Sequence, residues 1–363
     1  MVNNLNIENI KNTVIQGDSI EVLKQIPDNS IDFIFADPPY FMQTNGELFR
    51  FNGQVYDGVK DEWDKFNNYK EYDLFSLSWL KECKRILKNT GSIVVIGSFQ
   101  NIYRLGYIMQ DLGFWILNDL IWSKTNPVPN FGGTRFCNSH ETMLWCSKSS
   151  KSKPTFNYKT MKYLNNDKQE KSVWNIALCN GKERLKNKEG KKLHSTQKPE
   201  KLLEKIILAA TKPNDIVLDP FFGTGTTGAA AKKLGRNYIG IEKEQEYISA
   251  ADMRIKNIQP ELNDINLLRL EVKPPRVSLE KLVENNYLKE GQELYSPDKK
   301  AICKILFNGK VWDGLEELSI HKMSAKVLNK INHNGWEYFY VYYKNTFIPL
   351  NNLRYIYQEE HNE

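Results

Sequence analysis

Asp37-Pro38-Pro39-Tyr40 sets a carboxylate, two prolines and an aromatic ring in four consecutive positions. The prolines remove two backbone donors and stiffen the turn, leaving the Pro38 carbonyl to face a ligand. An acid, a carbonyl and a ring held rigidly suit a flat substrate that carries an amino group. A second group lies at Asp219-Pro220-Phe221-Phe222-Gly223-Thr224-Gly225-Thr226-Thr227. Its glycines let backbone approach a ligand closely. Taken alone, a glycine turn after a strand marks any nucleotide-type site, or only a tight turn. The chain has no GxxxxGK[ST], which argues against an NTPase, and the third Rossmann glycine is missing, which argues against NAD. Glu242 lies about twenty residues further on, where an acid can grip ribose hydroxyls.

These residues need strands to position them. The apolar run 31–36 is expected as a buried parallel strand with Asp37 at its C-terminal end, where open α/β sheets place their chemistry. Further strands are expected at 13–16, 92–96, 114–122, 142–147, 215–219 and 237–242. Helices are expected at 19–25, 73–87, 200–211, 226–234 and 244–257, the second with Leu74, Leu77, Leu80, Ile86 and Leu87 at helical spacing. Alternating strands and helices predict an α/β, doubly wound, mostly parallel sheet. The pair 114–122 and 142–147 would form its antiparallel edge. Residues 41–70 are polar, with Gly46, Gly53 and Gly58, and read as a long loop of the kind that is functional or disordered. Lys273-Pro274-Pro275-Arg276 reads as a linker. Beyond it, 277–363 is aromatic-rich, with a strand expected at 336–343, and reads as a small separate α+β domain.

Composition narrows the classes. No apolar run approaches the roughly eighteen residues of a membrane span, and the N-terminus lacks the apolar core of a signal peptide. Five cysteines, with no CxxC, fit a reduced cytosolic protein with buried thiols. Cys137-x-x-His140 with Cys146 and Cys179 fits no standard zinc site, so no metal is expected. The formal net charge is only +6, but residues 148–205 hold 16 Lys/Arg against 6 Asp/Glu. Phe156, Tyr158, Tyr163 and Trp174 are interleaved with them. Such an insert points to a polyanion partner, or to a solvated lysine-rich loop. There is no Pro-Cys dipeptide, which disfavours attack on cytosine C5 through a cysteine.

Together, Asp-Pro-Pro-Tyr and Phe-x-Gly-x-Gly resemble the S-adenosylmethionine-dependent amino-methyltransferases of DNA. The acid-first tetrapeptide is similar to the adenine-N6 type; serine-first versions are more typical of cytosine-N4 enzymes. The catalytic motif precedes the cofactor motif, with the basic insert between them, as in the β group. His194-Ser195-Thr196-Gln197-Lys198-Pro199 matches a further β-group signature. The stretches at 41–44, 61–66, 97–104, 126–136 and 319–325 resemble the GANTC-specific HinfI/CcrM-type subgroup, so the likeness runs over nearly the whole chain.

That resemblance implies a Rossmann-like methyltransferase domain of permuted motif order over 1–272, with a DNA-recognition insert at about 148–195, and a DNA-binding domain over 277–363. It implies S-adenosyl-L-methionine as cofactor and double-stranded DNA as partner, with base flipping and direct in-line transfer to N6 of adenine. Asp37, Pro38, Pro39 and Tyr40 would be catalytic, with Tyr40 stacked on the flipped base. Asp219, Phe221, Phe222, Gly223, Gly225 and Thr226 would shape the cofactor pocket, with Asp37 beside them. Glu242 would bind the ribose, and Thr196, Gln197 and Lys198 would close over the methionine end. Asp18 would meet the cofactor adenine, unless Gly-Asp-Ser is merely a helix N-cap. Arg50, Trp63 and Arg135 would contact DNA, as would His321, Lys322, Lys326 and Trp336 in the C-terminal domain. A bacterial cytoplasmic, nucleoid-associated location follows by analogy; a homodimer and a cognate restriction endonuclease are open. The alternatives are a cytosine-N4 or RNA amino-methyltransferase of the same fold, or a DNA-binding regulator without catalysis. The intact acid, tyrosine and glycine turn argue against the last.

Overall fold

The computed structural model describes residues 5–41, 48–49, 55–56, 64–130, 132–181, 183–187, 189–194, 196–268 and 276–361. The chain divides into two units, Met1–Glu271 and Val272–Glu363.

In chain order the first unit contains α1 (Ile7–Ile10), β1 (Thr13–Gln16), α2 (Ser19–Leu23), β2 (Ile31–Ala36), β3 (Leu48–Phe49), β4 (Val55–Tyr56), α3 (Tyr69–Ile86), β5 (Leu87–Gly97) and α4 (Ile102–Asp111). There follow β6 (Trp115–Lys124), β7 (His140–Ser147), α5 (Tyr158–Leu164), β8 (Val173–Ile176), α6 (Glu200–Ala210), β9 (Ile216–Asp219), α7 (Thr226–Lys233), β10 (Asn237–Glu242) and α8 (Gln245–Lys256). Eight strands form one sheet in the order β1-β10-β9-β2-β5-β7-β6-β8. Only β7 runs against the others. Helices cover both faces, so alternate residues of each central strand enter different cores. Ile34, Ile93 and Leu218 pack with α2, α3 and α4, whereas Phe35, Val94 and Val217 pack with α6, α7 and α8. This two-sided burial is why the middles of those strands, Phe33–Ala36, Ile93–Ile96 and Ile216–Leu218, are apolar runs.

The order of connection creates the site. From β2 the chain builds outward through β5, and from β9 it builds the other way to β10. β2 and β9 are neighbours, with Ile34 beside Leu218. Their carboxyl ends therefore flank a topological switch point, where ligands bind in open α/β sheets.

Three expectations are corrected. α3 starts at Tyr69, capped by the Asn68 side chain, and its buried face is Tyr72, Ser76, Trp79, Leu80, Cys83 and Ile86. Leu74 and Leu77 are exposed. The β6–β7 pair is not the sheet edge: the basic insert supplies β8, which pairs parallel with β6 and buries Trp174. Cys137 is exposed, unlike the other four thiols. No helix among the described residues is long and apolar enough to cross a membrane.

The second unit contains α9 (Leu279–Glu284), β11 (Glu293–Tyr295), β12 (Ala301–Ile305), β13 (Val311–Trp312), β14 (Glu317–Leu318), α10 (Ile320–Val327), α11 (Gly335–Tyr338), β15 (Tyr340–Tyr343), β16 (Thr346–Pro349) and α12 (Asn352–His361). Its six strands form an antiparallel sheet, β14-β13-β12-β11-β15-β16, around a separate core that includes Leu282, Ile305, Phe339 and Leu353. The strand expected over 336–343 begins only at Tyr340, because 335–338 is a helical turn capped by Asn334.

Candidate active site

A cavity of about 380 Å³ opens at the carboxyl ends of β1, β2, β9 and β10. Asp18, Asp37, Asp219 and Glu242 reach it from these four strand ends. The two sequence motifs, some 180 residues apart, thus share one space.

The catalytic turn is held from several sides. Pro38 and Pro39 stop β2, since neither can donate to a neighbouring strand. Phe41 then takes a left-handed φ of 56°. Strain of this kind persists only where the surroundings over-determine it, and here they do. Asp64 Oδ1 accepts the amides of Tyr40 at 2.6 Å and Phe41 at 2.8 Å. The Tyr72 hydroxyl of α3 donates to the Pro39 carbonyl at 3.0 Å, and Asn101 Nδ2 donates to that hydroxyl at 3.0 Å. Burial pushes the Tyr72 phenol up to about 12, so it stays a donor. Tyr72 carries no motif, and although Asp64 and Asn101 fall in the subgroup-like stretches 61–66 and 97–104, their part in holding the turn is visible only once it is folded.

Behind the turn lies a buried charge network. Lys198 Nζ sits 2.6 Å from Asp37 Oδ2 and 3.8 Å from Glu141 Oε2. The Tyr40 hydroxyl is 2.8 Å from Asp37 Oδ1 and 3.1 Å from Glu141 Oε2. Lys124 Nζ holds the other Glu141 oxygen at 2.7 Å. Burial raises the Asp37 carboxyl and Lys198 pulls it back, with burial prevailing. Burial also opposes ionisation of Glu141, but Lys198 and Lys124 outweigh it and hold that carboxyl below its ordinary value. The Lys198 ammonium is raised because its two carboxylates outweigh its desolvation. Burial and Asp37 keep the Tyr40 phenol protonated. Glu141 and Lys124, on β7 and β6, carried no sequence signal.

The cofactor half is built on the turn after β9. Asp219 Oδ1 accepts the Phe221 amide at 2.9 Å and Oδ2 the Thr227 hydroxyl at 2.6 Å. Burial nevertheless pushes the Asp219 carboxyl up to about 7. Glu242 accepts the amides of Gly223, Lys243 and Glu244, and burial raises it as well. A cavity that disfavours its own carboxylates is suited to a ligand carrying positive charge. Phe221, Phe222, Gly223 and Thr226 line it, as do Thr196, Gln197 and Lys198. Gly225 does not. Its φ of 76° caps α7, and a Cβ there would lie 2.7 Å from Ala251 on α8, so its smallness serves helix packing. Phe222 turns inward and stacks on Tyr238 at 5.9 Å.

Asp18 caps α2 through the amides of Ile20 and Glu21, and it also lines the cavity. The Gln197 amide is engaged with the backbone of Leu185 and Glu183, so it anchors the preceding loop. His194 was not among the expected contacts. Its Nδ1 accepts the Thr196 amide at 3.2 Å, and its ring lies over Gly223, close enough that a Cβ there would be 3.3 Å away. Burial, with Lys198 and Arg184 nearby, drops the imidazole to about 4, so it is neutral at pH 7.

Of the expected DNA contacts, Arg50 and Trp63 lie outside the described residues. Arg135 is exposed, over the Phe99 ring at 5.8 Å and next to Phe136, which is 94% exposed. His321 and Lys322 are exposed at the start of α10, although His321 Nδ1 accepts the Gly335 amide. Lys326 is held by Asp313 and Glu316. Trp336 is a correction: it is buried in the core of the second unit beneath Arg354, because an indole of that size closes the core better than it meets solvent.

Comparison with known proteins agrees with this geometry. The DNA methylase family matches residues 31–253. The chain is 66% identical to Type II methyltransferase M.HinfI of Haemophilus influenzae, over 98% of this chain and 99% of that one. It is 44% identical to Type II methyltransferase M2.LlaDCHI of Lactococcus lactis subsp. cremoris, over 67% and 88%. Among solved structures, the M1.HpyAVI–SAM complex matches with 30% identity and a TM-score of 0.50, over 67% of this chain and 98% of that one. PvuII DNA methyltransferase, cytosine-N4-specific, shares the fold at 24% identity and a TM-score of 0.52, over 71% and 90%. The chain belongs to the N6/N4 family of DNA methylases.

Proposed function

We propose that this enzyme transfers the methyl group of S-adenosylmethionine to N6 of a flipped adenine in double-stranded DNA, within GANTC. One observation carries the reading: an acid-first Asp-Pro-Pro-Tyr turn and an acid-lined glycine turn open into the same cavity. The residues present fit the cofactor. Asp219 and Glu242, both disfavoured as bare anions, would face its positive charge and ribose, Asp18 its adenine, and Thr196 and Lys198 its methionine end. Once bound, it supplies a methyl already activated by the sulfonium charge.

The chain's own work is to prepare the amine. The lone pair of N6 is delocalised into the ring. Hydrogen bonds from N6 to Asp37 and to the Pro38 carbonyl let the nitrogen pyramidalise and localise that pair, a stabilisation by fixed dipoles that needs no covalent enzyme intermediate. The Asp64, Tyr72 and Asn101 bonds fix the turn so that the acceptors are already placed. The target nitrogen is inaccessible inside a duplex, so the base must leave the stack. Stacking on Tyr40 would return roughly 1–3 kcal/mol.

Lysines of the insert would neutralise phosphates. Arg50, Trp63 and Arg135 would contact the target site, as would the second unit through His321 and Lys322. A homodimer, a cognate endonuclease and a nucleoid-associated place in the cytoplasm are further parts of this proposal. The test is plasmid DNA from cells expressing the chain. It should resist an endonuclease blocked by GANTC methylation, and expression of Asp37→Ala should leave it sensitive. Complete cutting despite good expression of the native chain overturns the reading.

A further inference from the structure

We infer that Phe136 is a wedge for DNA: its ring enters the duplex as the target adenine leaves, and replaces the stacking that the vacated step loses. The inference rests on the proposed function and deepens it.

The loop between β6 and β7 rises from the same rim as the catalytic turn. β5 runs parallel to β2, with Val95 beside Ala36, so the end of β5 at Gly97 lies close to Asp37. β7 begins on the other side of β5, with Thr142 opposite Gly97. The residue before it, Glu141, reaches the Tyr40 hydroxyl at 3.1 Å. The two arms of the loop are tied together. The Lys124 amide donates to the Ser139 carbonyl at 2.7 Å, and the Cys137 thiol donates to the Val128 carbonyl at 3.2 Å. Asn126 Oδ1 accepts the Leu178 amide at 2.7 Å, and Pro127 and Pro129 stiffen the first arm. Arg135 lies over the Phe99 ring, 5.8 Å from its centroid, and Phe99 is only two residues beyond β5. That contact holds the second arm beside the strand end next to Asp37.

What this scaffold presents is apolar. Phe136 is 94% exposed, and Phe99 and Val128 are 45% and 42% exposed. Rings held in water at the rim of a site suit a partner that offers flat apolar faces. Arg135 adds the positive charge that a nucleic acid attracts. A duplex offers such faces inside itself only when a base is extruded, because the gap exposes both neighbours of the missing base. Apolar side chains enter base steps in this way in proteins that unstack DNA. Asp37 and Tyr40 act on the base once it has left, whereas Phe136 acts on the place it left. The ring touches no reacting atom. It is a positioning residue, and it shifts the balance between stacked and flipped adenine.

The experiment compares the full native chain with Phe136→Ala. The ring is exposed, so its removal takes nothing from either core that flanks the cavity. The single-turnover rate of radiolabelled methyl transfer to a matched GANTC duplex should fall at least tenfold. S-adenosylmethionine affinity, measured by equilibrium dialysis, should stay within about twofold. The fluorescence rise of 2-aminopurine at the target position, which reports unstacking on binding, should shrink in parallel. In a duplex whose target adenine faces a mismatched base, extrusion is already cheap, so the same substitution should cost under threefold. Phe136→Trp, which keeps a ring that can stack, should restore the matched-duplex rate to within about threefold of native. A rate for Phe136→Ala within twofold of native on the matched duplex overturns the inference. So does an equal loss on both duplexes, which is what a backbone contact or a purely structural role would give. If the native chain transfers no methyl to either duplex, the proposed function itself has failed, a result distinct from both of these.

Discussion

At the scale of single residues, the site is governed by the cost of burying charge. Asp219 shows this most directly: it is buried, and its carboxyl is pushed up to about 7 although it accepts two hydrogen bonds. The sign follows from linkage. A carboxyl raised on folding favours the native state fully below its ordinary value of 3.8, and that contribution is lost as pH rises through about 7. A cationic ligand beside Asp219 reverses the preference and draws the proton off. At pH 7 the native chain should therefore release about half a proton more on binding S-adenosylmethionine than Asp219→Asn does. Calorimetry in two buffers of different ionisation enthalpy measures this, because each released proton adds its buffer heat. Identical buffer dependence in the two proteins would remove Asp219 from the cofactor's charge environment. Asp37 follows the same logic with another remedy, since burial raises it and the Lys198 ammonium offsets much of the cost.

At the scale of elements, the glycine turn depends on the strand beside it. Gly240 in β10 lies against Phe222, and a Cβ there would be 2.4 Å from the ring. That ring is stacked on Tyr238 and bordered by Gly225 and Gly228, so it has nowhere to retreat. Gly240→Ala should therefore destabilise the chain by about 1–3 kcal/mol through overpacking, and displace the turn that follows Asp219. A urea unfolding midpoint equal to that of the native chain would show that the ring yields easily. This coupling also marks how far the sequence could be read. The strands 31–36, 216–219 and 237–242 were legible because both faces of their middles are covered, which leaves near-continuous apolar runs broken only by Asp32, Gly240 and polar ends at Asp219, Asn237 and Glu242. The buried face of α3 was not, because Tyr72 and Ser76 share it while Leu74 and Leu77 face outward. Both motifs were legible, each being a local run fixed by backbone needs. The Tyr40–Glu141 contact spans 101 positions and joins a turn to β7, so only the folded sheet could reveal it. β8 was hidden for a related reason: four residues in a charged insert become a strand only because β6 offers an edge.

At the scale of the whole molecule, the two units have separate cores and different charge. The basic excess lies in 148–205, with 16 Lys/Arg against 6 Asp/Glu, whereas 277–363 has 11 against 12. On charge alone, attraction to the phosphate backbone is expected of the first unit, and the proposed contribution of the second would come through particular contacts such as His321 and Lys322. This separates two quantities that usually move together. A chain ending at Glu271 keeps both cores that flank the cavity, so it should bind S-adenosylmethionine within about threefold of native affinity. Its affinity for a GANTC duplex should fall at least tenfold, while the slope of log affinity against log salt changes by less than about one, since few net phosphate neutralisations are removed. Filter binding from low to moderate salt, with tritiated-methyl incorporation on the same duplex, measures both. If the shortened chain binds and methylates GANTC as the native one does, the second unit has no part in DNA recognition. If affinity falls together with a steep drop in salt slope, the second unit acts through phosphates, and its near-neutral composition conceals a basic face.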